Sequence, residues 1–177
     1  MSRVDLSTLS YVVLATVGEH GASTPELVDI ARRGAPLLWT SAESQMYSEP
    51  KRLSELGYLR SRKEPGKTRS RTVYMLTAKG RRSLTRWLAT PAAFPRVQHE
   101  AAIRLLAADM VPEATTAAAL LPLRKDVERL ETLVAESVER AHSLPHRERY
   151  LLLQLSLVRR MLQAHRDWLD DVERALG

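Results

Sequence analysis

One short segment of this chain is rich in side chains that could bind an anion. Between residues 60 and 71 it carries six basic residues against one acid, Glu64. The six are Arg60, Arg62, Lys63, Lys67, Arg69 and Arg71. One carboxylate cannot neutralise six cations at such close spacing, so the segment favours an acidic partner such as a phosphate backbone. The alternative is a solvated charged loop, and the crowding of like charges on so few residues argues against it.

The elements around this segment predict a basic hairpin that follows a helix. Pro65-Gly66 suits the centre of a type II turn, and residues 58–63 and 71–76 have the composition of paired strands. Upstream, Thr40-Ser-Ala-Glu43 has the spacing of a capping box and opens a helix that ends at Leu56-Gly57. A helix fits the major groove of DNA, and a basic hairpin can follow phosphates. The order of elements therefore predicts a winged helix-turn-helix.

The polar side of this helix supplies further candidate contacts. On a helical wheel, Met46, Pro50 and Leu53 share one side, and polar or basic residues cover the other. Hydroxyl, amide and cationic groups can donate to phosphates or base edges. The predicted DNA-binding residues are Ser41, Ser44, Gln45, Tyr47, Ser48, Lys51, Arg52, Lys63, Lys67, Arg69 and Arg71. Arg60 and Arg62 are left out because they can face the other side of the hairpin.

Three further helices are predicted in the first half. They span about 6–17, 24–33 and 78–89; Ser23-Thr-Pro-Glu26 and Thr77 provide the start signals of the last two. The expected core of the first half consists of apolar residues from its predicted helices and the hairpin: Leu9, Val13, Leu27, Ile30, Leu53, Leu56 and Leu76. Residues 1–90 carry 15 Lys/Arg and 8 Asp/Glu, whereas residues 91–177 carry 12 and 13. This asymmetry favours a polyanion-binding domain joined to a neutral one. The alternative is that the basic surface of the first half only aids solubility.

The second half predicts long helices. Pro91 and Pro95 bracket a linker, which gives domains at 1–92 and 96–177. A helix is predicted from His99 to Met110. Beyond it, apolar residues recur in alternating steps of four and three from residue 123 to residue 176, with an interruption at 143–145. That is a heptad seam on two successive helices.

The seam of the last helix is predicted to form a dimer interface. Its residues are Leu151, Leu155, Val158, Leu162, His165, Leu169 and Val172. Leu153, Leu157, Met161 and Trp168 widen the apolar face beyond the width of one antiparallel partner helix. A face that wide is an aggregation hazard, so a second subunit is expected to cover it. A monomeric helical hairpin folded against the first domain is the alternative.

Several function classes lack the residues they need. Cysteine is absent, which excludes disulfides and thiolate metal sites. No glycine-rich phosphate loop or nucleophile elbow is present, so neither an enzyme nor a cofactor is expected. His142 and His146 are four apart, but Pro145 separates them and no carboxylate completes a metal set. No signal peptide is indicated, and no apolar run approaches the ~18 residues of a membrane span, which predicts a cytoplasmic protein.

The sequence resembles the PadR family of bacterial transcription regulators. The matching residues are Leu9-Ser-Tyr-Val-Val-Leu-Ala15, Ser44-Gln-Met-Tyr-Ser-Glu-Pro-Lys-Arg-Leu53 with Glu55-Leu-Gly-Tyr58, Arg71-Thr-Val-Tyr-Met-Leu-Thr-Ala-Lys-Gly-Arg-Arg82, and Leu84-Thr-Arg-Trp-Leu88. The resemblance is close over the first half and rests on the pattern of long helices in the second. Pro50 departs from it, since the family usually has leucine there; an interior proline costs about 3 kcal/mol and predicts a bend, unless the helix begins later.

The resemblance implies a mainly α fold with a small β-hairpin wing: a winged helix-turn-helix domain followed by a long-helix dimerisation domain. It implies a homodimeric regulator, usually a repressor, on a near-palindromic operator in double-stranded DNA. It also implies a small aromatic effector, and Trp39, Trp87 or Trp168 could line its pocket, although tryptophans more often serve a core or an interface. The rival interpretation is a winged-helix protein-interaction adaptor that binds no specific DNA.

Overall fold

The chain is mainly helical, with a small antiparallel sheet in its first half. The computed structural model describes residues 6–33, 43–65 and 70–177, without the side chains of residues 31, 33 and 43. The chain divides into two compact units, Met1–Ala93 and Phe94–Gly177. The first contains α1 (Thr8–Val17), β1 (Ala22–Ser23), α2 (Thr24–Arg33), α3 (Glu43–Glu55), β2 (Leu59–Glu64), β3 (Arg71–Leu76) and α4 (Ala78–Leu88). The second contains α5 (Glu100–Leu106), a 3-10 turn (Ala108–Met110), α6 (Glu113–Leu120), α7 (Leu123–His142) and α8 (Glu148–Leu176).

Local hydrogen bonds set the starts of two helices of the first unit where the sequence predicts them. At α2, the carboxylate of Glu26 accepts from both the backbone N–H and the hydroxyl of Ser23, each at 2.6 Å. At α4, the hydroxyl of Thr77 accepts from the backbone N–H of Gly80 at 3.1 Å. The bonds from the backbone N–H groups of Ser23 and Gly80 satisfy donors that a helix start leaves without a partner inside the helix.

The sheet has the strand order β1-β3-β2, and both pairings are antiparallel. The register of β2 and β3 runs from Leu59 opposite Leu76 to Glu64 opposite Arg71, which confirms the predicted hairpin strands. The third strand, β1, pairs Ala22 with Tyr74 and was not predicted. Two residues are too few to show the alternation by which a strand is recognised in a sequence.

The core of the first unit joins α1, α2, α3 and the sheet. Its buried members are Val13, Leu14, Val17, Ala22, Leu27, Val28, Met46, Leu53, Tyr58, Leu59 and Tyr74. The prediction that Ile30 belongs to this core is wrong, because 45% of Ile30 is exposed. The inward face of α2 is instead formed by Leu27 and Val28, which are 1% and 6% exposed.

The second unit is built on an antiparallel pair of long helices. Arg124 near the start of α7 donates to Asp170 at 2.6 Å and to Glu173 at 2.8 Å, near the end of α8. Farther along, Arg166 on α8 pairs with Glu131 on α7. Along this helical pair the predicted seam is buried at Val127, Val134 and Ala141 on α7 and at Leu155, Val158, Leu162, Leu169 and Val172 on α8.

Most residues predicted for the dimer interface are already buried within one chain. Of the seven seam residues assigned to it, Leu155, Val158, Leu162, Leu169 and Val172 are each at most 6% exposed within one chain. Leu151 and His165 are partly buried. Three large apolar side chains of α8 are exposed in a single chain: Tyr150 (70%), Leu153 (63%) and Leu157 (52%). A heptad pattern is satisfied equally by a helix of the same chain and by one of another chain, so the sequence could not separate the two.

Smaller differences concern the start of the second unit. The helix predicted from His99 to Met110 ends at Leu106 and continues as the 3-10 turn. The short helix α6 was not predicted, because its alanine-rich sequence has little amphipathic pattern. Within the described residues, no helix combines the length and the apolar character that crossing a bilayer requires.

Candidate nucleic-acid interface

The helix α3 has a buried face and an exposed polar face. Met46, Glu49, Pro50 and Leu53 are buried. Five of the predicted DNA-binding residues lie on the exposed face: Ser44, Gln45, Tyr47, Ser48 and Lys51. Nearly half of Tyr47 is accessible, at 47%. The helix therefore presents hydroxyl, amide and ammonium groups outward, as groove or phosphate contacts require.

The interior proline of α3 lies on the buried face. The helix is uninterrupted from Glu43 to Glu55, and Pro50 is among the fully buried side chains. The ring lacks an N–H, so it cannot donate to the backbone carbonyl of Met46, one turn earlier. The ring is apolar and buried, so it packs in the core as a leucine side chain would. The predicted bend at this position stays a prediction.

Arg52 differs from the other candidates on α3 because its guanidinium group binds two side chains of the same chain. Its Nε and Nη2 donate to the two carboxylate oxygens of Glu49 at 2.8 and 2.7 Å. Its Nη2 also donates to the hydroxyl of Ser10 at 3.0 Å, and that hydroxyl donates to Glu49 at 2.6 Å. These bonds from Arg52, with that from Ser10, lower the pKa of the Glu49 carboxyl below its ordinary value.

Sequence reasoning did not identify Glu49 and Ser10. A glutamate on a helix ordinarily faces solvent, and Glu49 is only 8% exposed. The one available signal was its position on the wheel beside Met46, Pro50 and Leu53. Its serine partner stands 39 positions away in the sequence, where no local pattern connects the two.

Two of the predicted DNA-binding residues, Lys63 and Arg71, lie at the end of the hairpin strands that is nearest the connecting loop. Lys63 lies opposite Thr72, and Arg71 lies opposite Glu64, in the last two pairs before the loop. Side chains alternate along a strand, so Lys63 shares a face with Ser61, whereas Arg71 shares the other with Arg60 and Arg62. On that second face Glu64 binds Arg62 Nε at 2.7 Å and Arg71 Nη2 at 3.4 Å. The hairpin thus exposes cations on both faces, and its one acid is bound to two of them.

Three predicted DNA-binding residues lie outside the described residues. These are Ser41, Lys67 and Arg69. The predicted caps at Thr40 and Ser41 and the turn at Gly66 fall there too, as does Trp39.

The end of α3, the start of the hairpin and the start of α4 lie in direct contact. Gly57 follows α3 with φ +75°, and the N–H of Tyr58 donates back to the carbonyl of Leu53 at 2.8 Å, which closes the helix end. Lys79 at the start of α4 donates to the carbonyl of Leu56 at 2.7 Å and lies 4.2 Å from the centre of the Tyr58 ring. A cation at a helix C-terminus is favourable, so this residue stabilises the end of α3.

The tryptophans and histidines of interest that the structure describes lie outside α3 and the hairpin strands. Trp87 stacks on Tyr11 with ring centres 4.6 Å apart, inside the first unit. In the second unit the Nε2 atoms of His99 and His165 are 3.0 Å apart, and Trp168 meets the ring of His99 edge-on at 5.7 Å. There too, Nδ1 of His142 lies 2.7 Å from a carboxylate oxygen of Glu148. Across the described residues, no three His, Asp or Glu side chains form a group that could hold a metal ion.

Comparisons with known proteins give matches among solved structures only. No protein-family model and no curated protein matches the sequence. Bacillus subtilis PadR in complex with operator DNA matches with a TM-score of 0.74 and 17% identity, over 97% of this chain and 97% of that chain. The same protein with p-coumaric acid matches at 0.68 and 18%, over 99% and 97%.

Two other regulators match over similar lengths. A PadR-like transcriptional regulator from Bacillus cereus has a TM-score of 0.74 and 13% identity, over 99% of this chain and 98% of that chain. The Vibrio cholerae virulence activator AphA has a TM-score of 0.68 and 22% identity, over 95% of each chain. These likenesses span both units and confirm, at the level of the fold, the resemblance in the sequence. The chain therefore has the fold of the PadR and PadR-like transcriptional regulators, a winged helix followed by long C-terminal helices.

Proposed function

We propose that this protein is a transcriptional regulator that binds double-stranded DNA in a sequence-specific manner. The observation that carries the proposal is the exposed face of α3, where Ser44, Gln45, Tyr47, Ser48 and Lys51 lie opposite a face buried in the core. A helix anchored on one side and polar on the other can enter the major groove and donate to base edges. No catalytic role is assigned to any of these residues.

The hairpin supplies the contacts that do not depend on sequence. Lys63 and Arg71 are exposed in the last two pairs of the hairpin strands, and Lys67 and Arg69 lie between them in the sequence. Four cations there would neutralise phosphates beside the groove that α3 enters, which fixes the register of the helix on the duplex. Arg60 stands opposite Met75, nearer the base of the hairpin, and is not assigned a contact.

The proposal includes a homodimer on a near-palindromic operator. The exposed Tyr150, Leu153 and Leu157 lie at steps of three and four on α8 and form an apolar stripe that a second copy would cover. A two-fold dimer presents two recognition helices to major-groove faces about 34 Å apart, which matches two half-sites of a palindrome. The stripe replaces the buried seam as the proposed contact.

Repression is the proposed effect on transcription, as the sequence resemblance implies. AphA, which has the same fold, is described as an activator, so the direction is tested by a reporter gene placed behind the bound operator. A small aromatic acid is the proposed effector, since Bacillus subtilis PadR has been solved with p-coumaric acid. A regulator of this kind acts where the chromosome is, and the proposed location is the cytoplasm.

The test begins with selection of bound fragments from a genomic library by the full-length protein. The recovered duplex should bind more tightly than a random duplex, and Lys51→Ala should weaken that binding while leaving the melting temperature nearly unchanged. Lys125→Ala removes the same charge from an exposed position on α7 and should bind like the wild type. If no fragment is enriched and affinity is equal for all duplexes, sequence-specific regulation is excluded and the adaptor interpretation takes its place.

A further inference from the structure

A cluster of three side chains connects the recognition helix to α1. It consists of Ser10 on α1 and Glu49 and Arg52 on α3. Ser10 is 0% exposed and Glu49 is 8% exposed, whereas 41% of the Arg52 side chain reaches solvent. Four hydrogen bonds of 2.6 to 3.0 Å join the three residues to one another. All three are therefore fixed, although Arg52 lies at the edge of the proposed DNA-binding face.

The serine of this cluster is itself held by the first turn of α1. Ser7 and Ser10 form a reciprocal capping box, with N···O distances of 3.1 and 3.2 Å. Rotation of the Ser10 side chain would break the cap as well as the bonds to α3. In addition, Glu49 carries negative charge beside the N-terminal turn of α1, where the helix dipole favours an anion.

A buried carboxylate constrains the packing of α3 in a way that apolar residues do not. Met46 and Leu53 could slide against neighbouring methyl groups at small cost, whereas Glu49 would lose charge-assisted hydrogen bonds if it moved. Rotation of α3 by about 20° would shift side-chain atoms at a radius of 5–6 Å by about 2 Å. Hydrogen bonds to base edges need donor–acceptor distances of about 2.7–3.2 Å, so such a shift would abolish them.

We propose that Ser10, Glu49 and Arg52 form a positioning cluster that fixes the rotation of α3 about its own axis. Arg52 is then a positioning residue and not a phosphate contact. The cluster determines whether Tyr47, Ser48 and Lys51 reach the base edges together. This inference rests on the proposed function, because it assumes that α3 is the helix that reads DNA.

The test uses a substitution for which a charge effect and a positioning effect predict opposite changes in the affinity for the operator. Glu49→Gln removes an acid near the DNA, so electrostatics alone would strengthen binding to every duplex. Positioning predicts that binding to the selected operator weakens about tenfold or more, the loss expected for a base contact, while binding to a random duplex is not weakened. Ser10→Ala breaks the same cluster without a change of charge and should weaken operator binding in the same way.

Two glutamine variants serve as controls for charge and for stability. Glu55→Gln removes an exposed acid from the same helix. Glu26→Gln removes an acid and a helix cap from the same unit, outside the cluster. Neither should reduce the preference for the operator over a random duplex. Melting temperatures of all variants establish that the compared proteins are folded.

A second measurement separates the two roles of Arg52. If it positions α3, Arg52→Ala leaves the slope of log affinity against log salt unchanged; if it contacts a phosphate, the slope becomes less negative by about 0.9. The inference is overturned if folded Ser10→Ala and Glu49→Gln proteins keep the operator preference, or if Arg52→Ala makes the slope less negative. If the wild-type protein itself shows no preference among duplexes, the proposed function fails first and the inference with it.

Discussion

Gly80 lies so close to the carbonyl oxygen of Tyr58 that a β-carbon at position 80 would come within 2.1 Å of it. The same carbonyl oxygen accepts from the N–H of Thr77 at 3.1 Å and from its hydroxyl at 3.1 Å. The first turn of α4 is thus packed directly on the backbone between α3 and β2. This contact gives a structural reason for the Thr-x-x-Gly spacing at residues 77–80.

Gly80→Ala should destabilise the first unit. Alanine is favoured over glycine inside a helix by about 1 kcal/mol, so a simple propensity argument predicts the opposite sign. The clash is with backbone, which cannot rotate away, and α4 must separate from Tyr58. Thermal unfolding followed by circular dichroism measures the effect. Arg82→Ala, at an exposed position of the same helix, should leave the transition almost unchanged. An unchanged or raised midpoint for Gly80→Ala would contradict the contact.

Lys63→Ala should make the slope of log affinity against log salt less negative by about 0.9, the value for one phosphate contact on duplex DNA. Arg60→Ala is the matched control, because it removes one positive charge from the same hairpin nearer its base. It should leave the slope unchanged. Equal changes of slope in both variants would mean that DNA follows the whole length of the hairpin.

Leu153→Glu combined with Leu157→Glu should produce a folded monomer. Both side chains are more than half exposed in a single chain, so the new carboxylates stay in water until a second copy approaches. Leu162→Glu should behave differently, because Leu162 is 2% exposed between α7 and α8 and its charge would unfold the second unit. Sedimentation velocity and circular dichroism distinguish the two outcomes. A dimer that survives the exposed double substitution would place the subunit contact elsewhere.

The cap of α2 should make stability sensitive to acid. The hydroxyl of Ser23 and then its backbone N–H lower the pKa of Glu26 below its ordinary value of 4.5. A lowered folded-state pKa contributes stability above the unfolded-state value and loses it as pH falls through the folded-state value. Glu26→Gln should therefore lower the melting temperature near neutral pH and reduce its fall below about pH 4.5. If the melting temperatures of both proteins fall equally with pH over that range, Glu26 contributes nothing to the acid sensitivity.

Local features of this fold could be predicted from the sequence because local chemistry specifies them. Thr77 and the Ser23–Glu26 pair mark helix starts with side chains that satisfy backbone donors, and the strands end near the predicted residues. The polar face of α3 followed from helical periodicity alone. Each of these features depends on residues within a few positions of one another.

Features that depend on distant partners could not be predicted in this way. Glu49 is buried because Ser10 and Arg52 bind it, and only one of these partners is close in sequence. The sequence therefore predicts Arg52 as a DNA contact but does not predict its bonds to Glu49 and Ser10. The seam of α8 was assigned to a second chain for a related reason: periodicity shows that a helix is covered but does not identify which helix covers it.

The pairing of Ala22 with Tyr74 joins residues 52 positions apart, whereas α7 and α8 are joined by residues 143–147 alone. Closing a long chain segment costs more entropy than closing a short one, and folding slows as contacts become less local. The helical pair of the second unit can therefore form rapidly once α8 has been made. The first unit cannot complete its sheet until β3 has followed β2, so a newly synthesised chain completes the sheet beside α3 only after most of the first unit has left the ribosome.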